Sequence, residues 1–298
     1  MLQQTENTCR IEGILSEINL EPKTITKNGV EVKAVSGTIK VRVDQNVNDV
    51  ESVLEVPIHM FSTEFTNDGR VNPAYESISR VMNEFSSIAA VGIDAADRVR
   101  ITRASIEMNE YYNRNGALVS FPRIKASFVN KINKDECKPK AEFNVVFAIG
   151  SLGYETDKDG VETSRYKVNA ILPQYGGKVD IVPFYAVRQS VIDGIQNNWN
   201  VGDTVRAVGR LNFTSKTETL SVSLGFGESS EQTRTVSVSD LIITGGNPTP
   251  MDGEFALDSN ELQAALSDRK ARLAAAKEKD ATKTTQKPAA SKFKDLGF

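Results

Sequence analysis

Cations and flat rings recur side by side along this 298-residue chain, at spacings that put them on one strand face or in one turn. Lys40 and Arg42 are two residues apart, as are Arg123 and Lys125, and Arg165 and Lys167 flank Tyr166. Tyr111 and Tyr112 stand beside Arg114 in Tyr-Tyr-Asn-Arg-Asn-Gly, and Tyr175 lies in Pro-Gln-Tyr-Gly-Gly. Tyr185 follows Phe184, and Arg206 and Arg210 share one later segment. Alternate side chains of a strand share a face, so each i, i+2 pair presents two charges together. Ammonium and guanidinium groups pair with phosphates, while a phenol ring stacks on a base for about 1–3 kcal/mol. These residues therefore point to the grip of a single nucleic-acid strand. A plainer reading stands beside this one: charges on solvated strand faces, and Tyr111/Tyr112 as a cross-strand packing pair. Neighbouring strand residues face opposite ways, so only one of Phe184 and Tyr185 can reach a ligand. Tyr185, whose hydroxyl tolerates water, is the one expected outward.

Catalytic chemistry is not legible. The chain has neither Gly-x-x-x-x-Gly-Lys-Ser/Thr nor Gly-x-Gly-x-x-Gly nor Gly-x-Ser-x-Gly, and Gly225-Phe226-Gly227 is too short to count. Its one histidine, His59, lies in Leu54-Glu55-Val56-Pro57-Ile58-His59-Met60, where Leu54, Val56, Ile58 and Met60 form the apolar face and leave His59 outside. Cys9 and Cys137 stand far apart, outside any Cys-x-x-Cys spacing, so no zinc ligand set exists and a reduced cytosolic state is expected. No enzyme, metal or cofactor is expected. The N-terminus lacks a secretory pattern and no apolar run reaches the length of a membrane helix, so a cytoplasmic location without membrane contact is expected. The net charge of −3 excludes a uniformly basic, histone-like protein, but phosphate binding depends on a local basic track.

The elements that must position these residues come in two similar sets. Val91-Gly92-Ile93-Asp94-Ala95-Ala96-Asp97-Arg98-Val99-Arg100-Ile101 is echoed by Val201-Gly202-Asp203-Thr204-Val205-Arg206-Ala207-Val208-Gly209-Arg210-Leu211. Each follows a helix-like stretch and opens a long strand. Residues 8–138 predict a first unit, with strands over 10–18, 35–43 and 54–61, a helix over 73–87, and strands over 98–112 and 118–132 joined at Asn113-Arg114-Asn115-Gly116. In the first strand Gly13 suits a bend at a barrel corner. Residues 141–244 repeat the order, with strands over 142–152, 164–172 and 178–187, a helix over 189–198, a hairpin of 204–214 with 219–226, and a last strand over 234–244. Trp199 reads as a plug under the second barrel. The fold class expected is mainly β: two tandem five-stranded OB-like barrels, each with one helix. A linker over 245–257, an amphipathic helix over 258–279 with Leu262, Ala265, Leu266 and Leu273 near one side, and a disordered tail over 280–298 follow.

Tandem units, the Val-Gly-Asp-Thr-Val-Arg phrase with its echo, and the ending Asp295-Leu296-Gly297-Phe298 together resemble phage-type single-stranded DNA-binding proteins of the OB class. The resemblance implies passive coating and protection of exposed strands in replication, recombination or repair, with no turnover. It also implies that the tail recruits replication or recombination proteins through Phe293, Asp295, Leu296 and Phe298. The chain departs from the bacterial tail in having Gly297 for proline, and Lys292 and Lys294 where acids stand. A structural β protein of a virion is the alternative, and an adaptor working through the 258–279 helix a third. Oligomeric state is not readable.

Overall fold

The structure, a computed structural model, describes residues 2–27, 29–47, 50–113, 115–157, 159–222 and 230–285. The elements in chain order are β1 (Asn7–Lys27), β2 (Val30–Val47), β3 (Val50–Thr63), α1 (Pro73–Glu84), α2 (Ile88–Val91), β4 (Arg98–Tyr112), β5 (Leu118–Lys125) and β6 (Asn130–Ile132). They continue with β7 (Lys140–Thr156), β8 (Glu162–Pro173), β9 (Val179–Ala186), α3 (Gln189–Asn198), β10 (Thr204–Val222), β11 (Ser230–Gly246) and α4 (Ser259–Thr285). The protein is mainly β. No helix among the described residues is long and apolar enough to cross a membrane.

Hydrogen bonding closes the strands into rings. β1 pairs antiparallel with β2, β2 with β3, and β5 with β4, which returns to β1. A short parallel contact of Ile58 and His59 with Ile124 and Lys125 shuts this first ring. The order 1-2-3-5-4-1 is that of an OB barrel. β7, β8, β9, β11 and β10 repeat it, with Tyr185 opposite Ile242 as the parallel closure. The bulges correspond as well, one between Leu15 and Glu17 and one between Ile149 and Ser151. By this register Tyr185 holds in the second ring the position of His59 in the first.

Binary patterning drives the closure. Val35, Ile39, Val41 and Val43 of β2 and Leu54, Val56, Ile58 and Met60 of β3 are all buried, as their alternation predicts. α1 starts where Asn72 Oδ1 accepts from the Ala74 amide at 3.1 Å, with Pro73 first in the helix, and buries Ile78 and Val81 against the barrel. Trp199 is buried, meets Phe147 edge to face at 6.3 Å, and donates from Nε1 to the Asn247 carbonyl at 2.8 Å. The plug reading is correct.

The rings are not beads on a string. β1 pairs antiparallel with β7, from Asn7 opposite Val145 to Glu12 opposite Lys140, and one apolar core runs through both rings. In this stretch β1 is bonded to β4 on its other edge and β7 to β10, so one continuous sheet crosses the junction.

Several expectations need correction. The strand read over 118–132 breaks after Lys125, where the Ala126 amide turns to the His59 carbonyl at 3.1 Å, and resumes as β6. The hairpin read at 214–219 does not exist: β10 runs through it to Val222 and pairs with β11 along its length. Within the linker read over 245–257, the Met251 and Leu257 amides donate to the Thr204 carbonyl and hydroxyl at 2.8 Å each. α4 reaches Thr285, so residues 280–285 are helical rather than disordered, while 286–298 lie outside the described residues. The helix also packs back on the sheet, with Leu262 and Ala265 buried against Leu2, Ala148 and Val179.

Candidate nucleic-acid interface

The first ring presents a polar face on β2, β3, β5 and β4. Lys40 lies opposite Pro57, and His59 lies between Thr38 and Lys125. Arg123 lies opposite Glu107 and Lys125 opposite Ser105. Lys40 is held by Glu17 at 2.5 Å, an interaction that raises the lysine's pKa and lowers the carboxylate's, so both stay charged. Glu107 serves two cations, Arg123 at 2.6 Å and Lys125 at 3.8 Å. Burial, then the charges of Arg123, Lys125 and Lys23, hold His59 below the usual imidazole range against the pull of Glu107. At neutral pH it is a flat, uncharged ring.

Aromatic rings border these charges. Phe61 on β3 is 39% exposed, Phe121 on β5 is 41% and Tyr111 on β4 is 47%. Tyr111 packs across the strands on Phe121, not together with Tyr112, edge to face at 6.4 Å, and both rings stay open to a ligand. Tyr112 instead lies under Lys277 of α4, whose ammonium is 6.0 Å from the ring centre.

Beyond Ala104, β4 leaves β1 and its free edge is tied down by side chains. Asn7 both donates to and accepts from the Ile106 backbone, Gln174 donates to the Ile106 carbonyl at 2.9 Å, and Asp180 accepts from the Met108 amide at 2.9 Å. The Gln174 and Asp180 contacts lash the β4–β5 arm of one ring to β9 and the β8–β9 turn of the other. Between arm, turn and α4 opens a cleft of about 620 Å³. Five cations line it, Arg103, Arg123, Lys125, Lys178 and Arg272, against the carboxylates Glu107, Glu110 and Asp180. Tyr175 also lines it, 85% exposed, carried by a turn whose Gly176 and Gly177 adopt φ of +78° and +73°. Nothing in packing requires a tyrosine there.

The structure thus gathers Lys40, Arg123, Lys125, Tyr111 and Tyr175 around one face and its adjoining cleft. The other expected residues are engaged by partners or placed elsewhere. Arg42 shares the strand parity of Lys40 but is paired with Asp44 at 2.9 Å. Arg165 is clamped by Glu155 at 3.1 Å and Asp240 at 3.0 Å and lies over the Tyr185 ring at 4.0 Å, so the cation is neutralised and the ring face covered. Burial raises the Tyr185 hydroxyl's pKa. Lys167 lies opposite Tyr185 on this same face of the second ring. Tyr166 is a correction: at 7% exposure it belongs to the core, packed edge to face on Tyr154, and cannot stack on a ligand. Arg206 is held between the rings by Glu6 at 2.5 Å. Arg210 lies in a separate hollow with Lys140, Glu142 and Asp44, its pKa lowered by burial and by Arg188. Arg114 and the four tail residues Phe293, Asp295, Leu296 and Phe298 lie outside the described residues.

Phe61, Phe121, Arg103, Lys178 and Arg272 escaped the sequence reading. Phe121 carried a usable signal, sharing strand parity with Arg123 and Lys125, as Phe61 does with His59. The other three join the cleft only through tertiary packing. Among the described residues no three His, Cys, Asp or Glu side chains gather as a metal site.

The family model YorF matches residues 6–279. No curated protein matches the chain. Among solved structures, the wild-type single-stranded DNA binding protein from Thermus aquaticus is similar at 10% identity and a TM-score of 0.47, over 84% of this chain and 96% of that one. A deletion mutant of that protein gives 10% identity and a TM-score of 0.48, over 84% and 97%.

Proposed function

The chain belongs to the YorF family, and we propose that this member binds single-stranded DNA, without catalytic turnover. The strand lies across the outer face of the first ring and enters the cleft between the rings. One observation carries the reading: Arg123 and Lys125 from one ring and the unpacked Tyr175 from the other line a single cleft, next to the exposed rings of Tyr111, Phe121 and Phe61. Cations spaced for phosphates and open ring faces for bases are the two components of sequence-tolerant strand binding. A duplex hides its base faces in the stack, so the same surface favours unpaired strands. The second ring contributes Tyr175 and Lys178, while its own outer face is neutralised at Arg165 and serves as scaffold.

In the cell this activity corresponds to coating and protecting exposed strands in the cytoplasm during replication or recombination. The segment Lys292 to Phe298 would recruit partner proteins.

Fluorescence anisotropy of labelled oligo-dT, run beside duplex DNA and an RNA oligomer at low and high salt, tests the reading. Tight binding to oligo-dT, weak binding to duplex and an affinity that falls with salt are expected. Phe121→Ala should remove about 1–3 kcal/mol of binding, the value of one stacked base, with the melting temperature held. Absence of oligo-dT binding at low salt overturns the proposal.

A further inference from the structure

α4 is built in two parts. Its start is capped by Asp258 Oδ1, which accepts from the Asn260 and Glu261 amides at 2.9 Å each, and its first two turns bury Leu262 and Ala265 in an apolar cluster. From Arg269 onward the side turned to the protein is no longer mainly apolar. Arg269, 12% exposed, forms an ion pair with Glu110 of β4, 8% exposed, at the far side of the junction. One turn on, Arg272 and Leu273 line the cleft. A helix kept only for packing would continue its apolar stripe. This one places guanidinium groups where the rings bring carboxylates.

That placement answers a problem posed by the cleft. Asp180 is buried, its Oδ2 is committed to the Met108 amide, and the charges of Glu107 and Glu110 lie near it. Without compensation this wall repels phosphate. Arg272 is exposed, forms no salt bridge among the described residues, and lines the same cleft as Asp180, whose carboxyl burial chiefly pushes up and the Arg272 charge pulls back down. We infer that α4 is the third wall of the binding cleft, with Arg269 and Arg272 cancelling the carboxylates of Glu110 and Asp180 so that the cleft accepts the phosphodiester backbone of a single strand. This rests on the single-strand reading above. It assigns to α4 a role in binding, where an adaptor or spacer helix would have none.

The test uses the full-length protein and oligo-dT anisotropy across a salt series, with Arg272 chosen because its exposure makes the fold indifferent to its loss. Arg272→Gln is expected to weaken binding about five- to tenfold at low salt, as loss of a charge facing a polyanion does. Combining it with Asp180→Asn, which keeps an acceptor for the Met108 amide, is expected to restore affinity to within about twofold of wild type. Wild-type affinity in Arg272→Gln, or no recovery in the double variant, overturns the inference. Arg123→Gln separates the two levels of argument. If it weakens binding and Arg272→Gln does not, only the role of α4 falls. If the wild-type protein does not bind oligo-dT, the single-strand reading falls and this inference with it.

Discussion

Glu107 sits between Arg123 and Lys125 and satisfies both, which explains how a chain of net charge −3 can keep a basic track in reserve. Such partly exposed pairs are worth about 0–1 kcal/mol, so a phosphate can displace the carboxylate at little cost. Glu107→Gln should therefore tighten oligo-dT binding by about two- to fivefold and steepen its salt dependence, because two cations are released to the ligand. Unchanged or weaker binding in the anisotropy assay would place the strand elsewhere. At this scale the sequence was a partial guide. Strand parity set Arg123 and Lys125 on one face, but their acid lies 16 and 18 residues back on β4, and only the register of β4 with β5 brings it opposite. Tyr166 was misjudged because the flanking cations suggested an outward face, whereas alternation sends the residue between two outward cations inward.

At the scale of elements, strand alternation and the Gly/Asp-Val-Arg echo order the strands of both rings. Arg100 lies opposite Glu12 and Arg206 opposite Val146, matching places in the two rings. Boundaries failed where polar β-formers resemble turns: Thr214-Ser215-Lys216-Thr217 reads as a break, yet its backbone pairs continuously with β11. The course of α4 was not legible, since its partners Leu2, Ala148, Val179 and Glu110 come from separate parts of the chain. Gly13 shows an element-scale constraint of close approach: a Cβ there would drive into the Arg42 carbonyl of β2. Gly13→Ala should cost about 1–3 kcal/mol as overpacking, seen as a lower urea midpoint at constant slope. Gly153→Ala on β7, with open space around the added methyl, should leave the midpoint near wild type and serves as the control.

For the whole molecule the decisive feature is the seam. Because β1 and β7 join the rings into one sheet over one core, the two should melt together, and the cleft between them should be fixed before any ligand arrives. Glu12 closes one end of this seam, opposite Lys140. It is buried, and it accepts from Arg100 Nε at 2.8 Å and from the Lys138 amide at 2.6 Å, with Lys140 at 3.9 Å. The Arg100 hydrogen bond chiefly, opposed by burial and assisted by the Lys138 amide, holds its carboxyl below the usual carboxylate range. A carboxyl depressed by folding stabilises the native state above its unfolded pKa, and this contribution is lost as pH falls through the folded value. Glu12→Gln should cost about 2–3 kcal/mol at pH 7, below the range for breaking a fully buried pair because Arg100 is partly exposed. The penalty should shrink as pH falls through the acidic range. Trp199, the single tryptophan, reports from the second ring, while Glu12 belongs to the first. If the seam couples the rings, Glu12→Gln lowers the melting temperature seen by Trp199 emission as much as that seen by far-ultraviolet circular dichroism. A variant whose circular dichroism melts early while Trp199 emission keeps its wild-type midpoint would show the rings to be independent, and the cleft would then owe its shape to the side-chain ties on β4 alone.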